Sequence, residues 1–230
     1  MERQRTSSAL VLFDIDGTLV RRAGPHHRDA LIEAVRGETG VAVTMDGVPV
    51  QGMLDQDIVM AMLRNAGVSV RAIRKAMPAV LADAQRIYAA TCPNLRRKTC
   101  PGVRAALRRI ERRGLPLGLV TGNLTRIALK KLECAGLKEY FRYGAFSEMG
   151  KTRASLVRLA IRQARDAGWI DRSSSVSLIG DHMNDIEAAR LNRIRSIAVA
   201  TGIASAGELA ACAPDLLLPD LRSLKLEMLL

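Results

Sequence analysis

The sequence has 230 residues, of which 48% are hydrophobic and 25% are charged, as in globular proteins, so we expect one domain with room for a smaller insertion. No apolar run reaches the roughly 18 residues that span a bilayer, and the first eight residues lack the apolar segment of a secretory signal, which favours a cytoplasmic protein with no membrane partner. The net charge of +12 comes mainly from 28 arginines, but aromatic residues are only 3% and no nucleic-acid-binding signature is present, so we expect solvated arginines rather than nucleic acid as the main partner.

The first predicted element is an apolar run, residues 10–13, that is followed by Asp14, Asp16 and Gly17. A short apolar run before a turn signal predicts a strand that is buried on both faces. Residues two apart on a strand point the same way, so we expect both carboxylates to face one site at the carboxyl end of the strand. Two like charges this close should raise the pKa of one of them and favour a bound cation. The pair suits phosphoryl transfer, with a nucleophile and a proton donor; the alternative is an ordinary Asp-Gly turn.

After a turn signal at Gly24-Pro25 the sequence becomes mainly helical. Apolar spacing predicts helices over 29–35, 55–65 and 70–88, with Ser69 capping the third. We therefore expect a small helical lid.

From residue 103 onwards, predicted helices alternate with short apolar runs. Strands are predicted over 115–120, 143–146, 175–179, 194–199 and 215–218, and helices from 103, over 124–135, 153–167 and 185–191, and from a capping box at 205–208. This alternation is typical of a parallel sheet with right-handed crossovers.

Three of the predicted strands end in small or acidic residues. These are Asp14 with Asp16, Thr121 with Asn123, and Asp181 with Asp185. A parallel sheet brings strand ends to one edge, so we expect these side chains to converge, with the basic Lys151 and Arg153 nearby. Together these residues would supply a nucleophile, an acid, a hydroxyl donor, a cation and metal ligands. This combination indicates a catalytic site much more specifically than any one of its members does.

With these motifs the sequence resembles the haloacid dehalogenase-like hydrolase superfamily, in particular its phosphoglycolate-phosphatase-like members with an inserted helical cap. The matching stretches are 14–18, 121–123, Lys151 or Arg153 ahead of Leu156 and Ala160, and 180–185. The resemblance implies an α/β fold with a three-layer, Rossmann-like parallel-sheet core from residues 1–20 and 98–230. It implies a small helical cap domain over 21–97, inserted after the first strand.

The resemblance also implies a role for each matching residue. Asp14 would attack phosphorus to form an aspartyl-phosphate, and Asp16 would protonate the leaving oxygen and then activate water. The implied phosphate-binding residues are Thr121, Gly122, Asn123, Lys151 and Arg153, and the implied Mg²⁺ ligands are Asp14, the backbone carbonyl of Asp16, Asp181 and Asp185.

These roles predict a magnesium-dependent phosphatase for small phosphorylated metabolites, with phosphoglycolate as a candidate. Asp16 favours phosphatase over dehalogenase chemistry, because a departing halide needs no proton. A phosphomutase with the same aspartyl-phosphate and a basic, non-catalytic binding protein are the alternatives, and the sequence leaves the oligomeric state open.

Several positions near the motifs have more than one interpretation. Either Lys151 or Arg153 could be the main cation at the phosphate. We expect His182 to be an exposed loop residue, and His26 and His27 to be solvated. The cap stretch around Met53 has an apolar residue where the family often has a polar or basic one.

Overall fold

A computed structural model describes residues 6–21 and 24–230 of the chain. Its centre is a six-stranded sheet in the order β3-β2-β1-β4-β5-β6, and every neighbouring pair is parallel. The strands are β1 Ala9–Phe13, β2 Leu117–Val120, β3 Tyr143–Ala145, β4 Ser175–Gly180, β5 Arg195–Val199 and β6 Leu216–Leu218. The predicted α/β, Rossmann-like class is confirmed.

Helices lie where apolar periodicity predicted them. They are α1 His26–Thr39, α2 Asp55–Asn65, α3 Val70–Thr91, α4 Val103–Arg112, α5 Thr125–Ala135, α6 Arg153–Asp166, α7 Met183–Leu191 and α8 Ala206–Ala211. The Ser69 side chain accepts a hydrogen bond from the backbone N–H of Ala72, as an N-cap residue does. Within the described part of the chain, no helix is both long and apolar enough to cross a bilayer.

The sheet is covered on both faces, which explains why β1 is continuously apolar. Ala9, Val11 and Phe13 pack with residues of α4 and α5, whereas Leu10 and Leu12 pack with residues of α6 and α7. Alternate residues of a strand point to opposite faces, so both faces of β1 need apolar side chains.

The first three helices share an apolar cluster of their own, which includes Leu31, Val59 and Tyr88. Leu124 and Ile127 at the start of α5 also belong to this cluster, so it extends to a helix that packs against the sheet. Residues 22 and 23, at the predicted start of the cap, and residues 1–5 of the predicted core lie outside the described residues.

The strand order places a switch point beside β1. From β1 the chain continues to β2 and β3 on one side of the sheet, and it then returns to β4 on the other side of β1. Ligands of open α/β sheets bind outside the carboxyl ends of the strands at such a point. Asp14 follows β1 and Asp181 follows β4, so both lie at this position.

Candidate active site

The loop after β1 is packed tightly against the end of β4. Gly17 has a φ of 84°, and a Cβ atom there would lie 2.1 Å from Oδ2 of Asp181, so a side chain has no room. The hydroxyl of Thr18 donates a hydrogen bond of 3.0 Å to Oδ1 of Asp181. The close approach of Gly17 and the hydrogen bond from Thr18 place the Asp181 carboxylate beside the loop that follows Asp14.

Three buried carboxylates meet at this edge of the sheet. One carboxylate oxygen from each of Asp14, Asp181 and Asp185 lies within 4.8 Å of the other two. Burial, together with the charge of Asp14, raises the pKa of Asp181 to about 8 and the pKa of Asp185 to about 7. Among the described residues, Oδ1 of Asp185 has no hydrogen-bond partner. Oxygen ligands of this kind fit a divalent cation, which would offset their mutual repulsion.

A cation approaches this cluster from the first residue of α6. Nη1 of Arg153 lies 3.1 Å from Oδ1 of Asp14, and its Nε lies 3.3 Å from Oδ1 of Asp185. Thr152 forms a capping box with Ser155, which fixes the start of the helix and therefore the direction of the buried Arg153 side chain. Lys151, two residues earlier, is exposed and lies outside the cavity that contains Asp14.

The residues after β2 form the third side of the site. Oγ1 of buried Thr121 accepts a 2.8 Å hydrogen bond from Nδ2 of Asn123, which leaves the hydroxyl proton free to donate. The Gly122 carbonyl accepts a 2.8 Å hydrogen bond from the backbone N–H of Asp55, which begins α2. A Cβ atom on Gly122 would lie 2.2 Å from the carbonyl oxygen of Met53, so cap and sheet domain are in close backbone contact here.

The Asp16 carboxylate is outside the three-carboxylate cluster, because it turns towards α5. Its Oδ2 lies 2.7 Å from Nζ of Lys131 and accepts a 2.7 Å hydrogen bond from Nδ2 of Asn123. Burial would raise the pKa of Asp16, but the charge of Lys131 and the hydrogen bonds from Lys131 and Asn123 bring it below its usual value. The predicted rise in the pKa of one carboxyl group of the Asp14–Asp16 pair is therefore not found at Asp16.

Lys131 is a residue of the site that the sequence analysis missed. Its side chain is buried, and it lies on the apolar face of α5 with Ile127, Ala128 and Leu132. A charged residue in the middle of an apolar helical stripe is the signal that could have identified it, because an unpaired charge is costly to bury.

The two histidine expectations also need correction. Nε2 of His27 lies 3.1 Å from Oδ2 of Asp55, and its Nδ1 lies 3.1 Å from Nζ of Lys131, so the half-buried His27 bonds to two buried side chains rather than being solvated. Because Lys131 can only donate, the ring proton is assigned to Nε2. His182 is half-buried, and its Nδ1 accepts from the backbone N–H of Asn184 at the start of α7.

The side chains at the carboxyl ends of the strands and those of the cap surround a cavity of about 250 Å³. The predicted site residues that line it are Asp14, Asp16, Thr121, Gly122, Asn123, Arg153 and Asp181. Apolar cap side chains face them, namely Leu31, Met45, Met53 and Ile58. The cap also contributes the cation Arg28 to this lining.

The comparisons with known proteins agree with this geometry. A family profile described as haloacid dehalogenase-like hydrolase matches residues 9–192. The chain is 28% identical over 213 residues to a phosphoglycolate phosphatase of Synechococcus elongatus, covering 90% of this chain and 91% of that protein.

Solved structures share the fold over almost their whole length. A β-phosphoglucomutase from Clostridium difficile superimposes with a TM-score of 0.73 at 15% identity, covering 96% of this chain and 95% of the other. CbbY from Rhodobacter sphaeroides, in complex with phosphate, gives a TM-score of 0.72 at 20% identity, covering 97% and 99%. At these identities the likeness concerns the fold.

Proposed function

The chain belongs to the haloacid dehalogenase-like hydrolase family, and from that membership and the site geometry we propose that it is a magnesium-dependent phosphatase of small phosphomonoesters. The observation that carries this proposal is the convergence of Asp14, Thr121 and Arg153 in one cavity, beside the pair Asp181 and Asp185. Phosphoryl transfer requires a positioned nucleophile and groups that offset charge on the phosphoryl oxygens.

In this proposal Asp14 is the nucleophile. A carboxylate oxygen of Asp14 attacks phosphorus, the bond to the ester oxygen breaks, and an aspartyl-phosphate forms. Arg153, which already contacts Asp14, offsets charge on the phosphoryl oxygens, and the free hydroxyl proton of Thr121 donates to one of them. Gly122 and Asn123 complete the phosphate-binding loop.

Asp16 is the proposed acid and base. It gives a proton to the ester oxygen as that oxygen leaves, and it then takes a proton from the water that hydrolyses the aspartyl-phosphate. Lys131 and Asn123 hold the ionised carboxylate, so this arrangement presents the base that the second step needs. For the first step, Asp16 must take up a proton and turn towards the ester oxygen.

The proposed metal site consists of Asp14, Asp181, Asp185 and the backbone carbonyl of Asp16. When bound, Mg²⁺ would offset the negative charge of the transferring phosphoryl group. The backbone of Gly202 also packs closely against this site, since a Cβ atom on Gly202 would lie 1.6 Å from Oδ2 of Asp181.

We infer the substrate size from the cap, which we propose is a separate unit over residues 21–97. A cavity of about 250 Å³ is smaller than the pockets that hold drug-sized ligands, so the leaving group is small. Phosphoglycolate is the first candidate substrate, because the Synechococcus relative is named a phosphoglycolate phosphatase. In addition, Arg28 in the cavity lining offers a cation for the carboxylate of phosphoglycolate.

The test is phosphate release from a panel of phosphoglycolate, sugar phosphates and nucleotides, with and without Mg²⁺. The Asp14→Asn variant should be folded and inactive, because an amide is not a carboxylate nucleophile. Asp46→Asn, which removes an exposed carboxylate of the cap, is the matched control and should be active.

Near-normal phosphate release by folded Asp14→Asn would overturn the proposed nucleophile. Product identification separates hydrolysis from mutase chemistry, since a mutase returns an isomeric phosphate instead of inorganic phosphate.

A further inference from the structure

A second concave surface lies at the opposite edge of the sheet from the candidate active site. This cleft, of about 990 Å³, is lined by residues at the amino ends of β4 and β5, among them Ser175 and Ser196. Asp181 follows the carboxyl end of β4, and six residues of strand separate it from Ser175 by roughly 20 Å. The cleft is therefore distinct from the catalytic cavity.

The charge of this cleft is strongly unbalanced. Only two aspartates line it, against seven arginines. The arginines are Arg158, Arg162, Arg165, Arg172, Arg190, Arg193 and Arg195. Three of them follow one another on α6 at spacings of four and three residues, which places them on one face of that helix. One quarter of the arginines of the chain thus face a single cleft.

Most of these guanidinium groups are available for a ligand. Within the described ranges, the side chains of five of them make no hydrogen bond or ion pair, namely Arg158, Arg162, Arg165, Arg172 and Arg193. Arg190 and Arg195 instead donate to backbone carbonyls of Cys212 and Met228. One of the two aspartates, Asp215, accepts from Ser196 at 2.7 Å and 2.8 Å, so it is already bonded.

The chemistry of the lining selects a class of ligand. Arginine binds phosphate oxygens through two parallel hydrogen bonds, and several such groups in one concave site match several linked phosphates. No aromatic side chain lines the cleft, so the described surface offers no aromatic platform for stacking a base. Ser174, Ser175 and Asn192 add polar groups between the arginines.

We propose that this arginine cleft binds a small molecule through a chain of two or three linked phosphate groups, as in inorganic polyphosphate or a nucleoside polyphosphate. Recognition is of the phosphates alone. The site is independent of the proposed phosphatase activity, because it shares no residue with the catalytic cavity.

The experiment is calorimetric titration of the full chain, without Mg²⁺, at roughly physiological salt of about 0.15 M. The probes are inorganic tripolyphosphate, adenosine triphosphate and a short DNA duplex. The variant with Arg158→Gln, Arg162→Gln and Arg165→Gln removes three charges from the cleft. The control with Arg108→Gln, Arg112→Gln and Arg113→Gln removes three exposed charges at the end of α4.

We expect the cleft variant to bind tripolyphosphate at least about tenfold more weakly, since each charge-assisted hydrogen bond is worth roughly that factor. The α4 control should bind as the unmodified protein does, and both variants should keep its phosphatase activity. Tripolyphosphate and adenosine triphosphate should bind within a few-fold of each other.

Three results would overturn the proposal. Equal weakening in both triple variants would show an effect of net charge, and absence of tripolyphosphate binding by the unmodified protein would remove the site. If the duplex bound more tightly than tripolyphosphate, and if this binding were lost in the cleft variant, the surface would be a nucleic-acid interface instead.

Discussion

Nζ of Lys131 lies 2.8 Å from Oδ1 and 2.7 Å from Oδ2 of Asp16, and the lysine is only 1% exposed. The ammonium group also lies 2.7 Å from Oδ1 of Asn123 and 3.1 Å from Nδ1 of His27. Its three N–H donors therefore meet four acceptor atoms from three residues, of which Asp16 and Asn123 follow strands of the sheet and His27 lies in α1. This network fixes where the proposed acid and base rests, and it connects Asp16 to the cap.

Replacing Lys131 with methionine should impair the base function of Asp16. Without the ammonium charge, the strongest interaction that lowers the pKa of Asp16 is lost and this pKa rises, so the carboxylate form exists only at higher pH. We expect the acid limb of the kcat/KM profile to move to higher pH, and kcat to fall by at least about tenfold. A pH profile of phosphate release measures both effects.

Lys130→Met is the matched control for this variant. Lys130 is the adjacent residue, but it forms an ion pair with Glu133 at the surface of α5. The Lys130→Met variant should therefore have the same pH profile of phosphate release as the unmodified protein. A Lys131→Met protein whose acid limb stays in place would show that Lys131 supports only the fold.

Much of the fold was predictable because it depends on local periodicity. The bounds of α2 agree residue for residue, and α5 ends at Ala135, directly before Gly136, whose φ of 63° suits glycine. Convergence at the sheet edge was also predictable, because a parallel sheet gathers the residues after β1, β2 and β4.

The interactions of Asp16 could not be predicted in the same way. Lys131 lies 115 positions further along the chain, and His27 reaches it from α1, so this network depends on how segments that are distant in the sequence pack. Spacing along one strand predicted that Asp16 lies beside Asp14, whereas tertiary packing determines that Asp16 bonds to Lys131. The sequence pattern alone likewise gave no choice between Lys151 and Arg153.

Arg153 and Lys151 should differ greatly in their effect on turnover. Arg153 is buried against Asp14, whereas Lys151 is exposed, so only Arg153 is placed to offset charge on the phosphoryl group. We expect Arg153→Met to lower kcat by about 10²-fold or more, as loss of a transition-state donor does. Lys151→Met should retain most of the kcat of the unmodified protein. Comparable losses in the two variants, measured as phosphate release, would contradict this assignment.

The carboxylate cluster should make metal-free stability depend on pH. The pKa values of Asp181 and Asp185 are raised to about 8 and about 7, so between about pH 4 and about pH 8 the folded state holds more protons than the unfolded state. Stability in chelator should therefore decrease as pH rises through this range. Differential scanning calorimetry should give a lower Tm at about pH 8 than at about pH 5.

Mg²⁺ should reverse part of this loss. The ion binds ionised carboxylates, so its addition should raise Tm more at about pH 8 than at about pH 5. Asp185→Asn removes one carboxylate and should reduce both the pH dependence and the effect of Mg²⁺. A Tm that responds to neither pH nor Mg²⁺ would argue against a metal site at these three residues.

Gly122→Ala should disturb the contact between the cap and the proposed phosphate-binding loop. The new Cβ atom would lie 2.2 Å from the Met53 carbonyl oxygen, so the backbone must separate and the hydrogen bond from Asp55 to Gly122 must lengthen. Overpacking of this kind costs about 1–3 kcal/mol, and we expect Tm and kcat/KM to fall together.

Gly37→Ala is the control for an added methyl group without a clash. Gly37 lies within α1, and its nearest neighbour, Oδ2 of Asp83, would be 3.8 Å from the new atom. Alanine is favoured over glycine in a helix by about 1 kcal/mol, so this variant should be as stable or more stable, with unchanged kcat/KM. If Gly122→Ala behaved in the same way, close backbone contact between cap and loop would not be required for turnover, and the substrate would be positioned by the sheet domain alone.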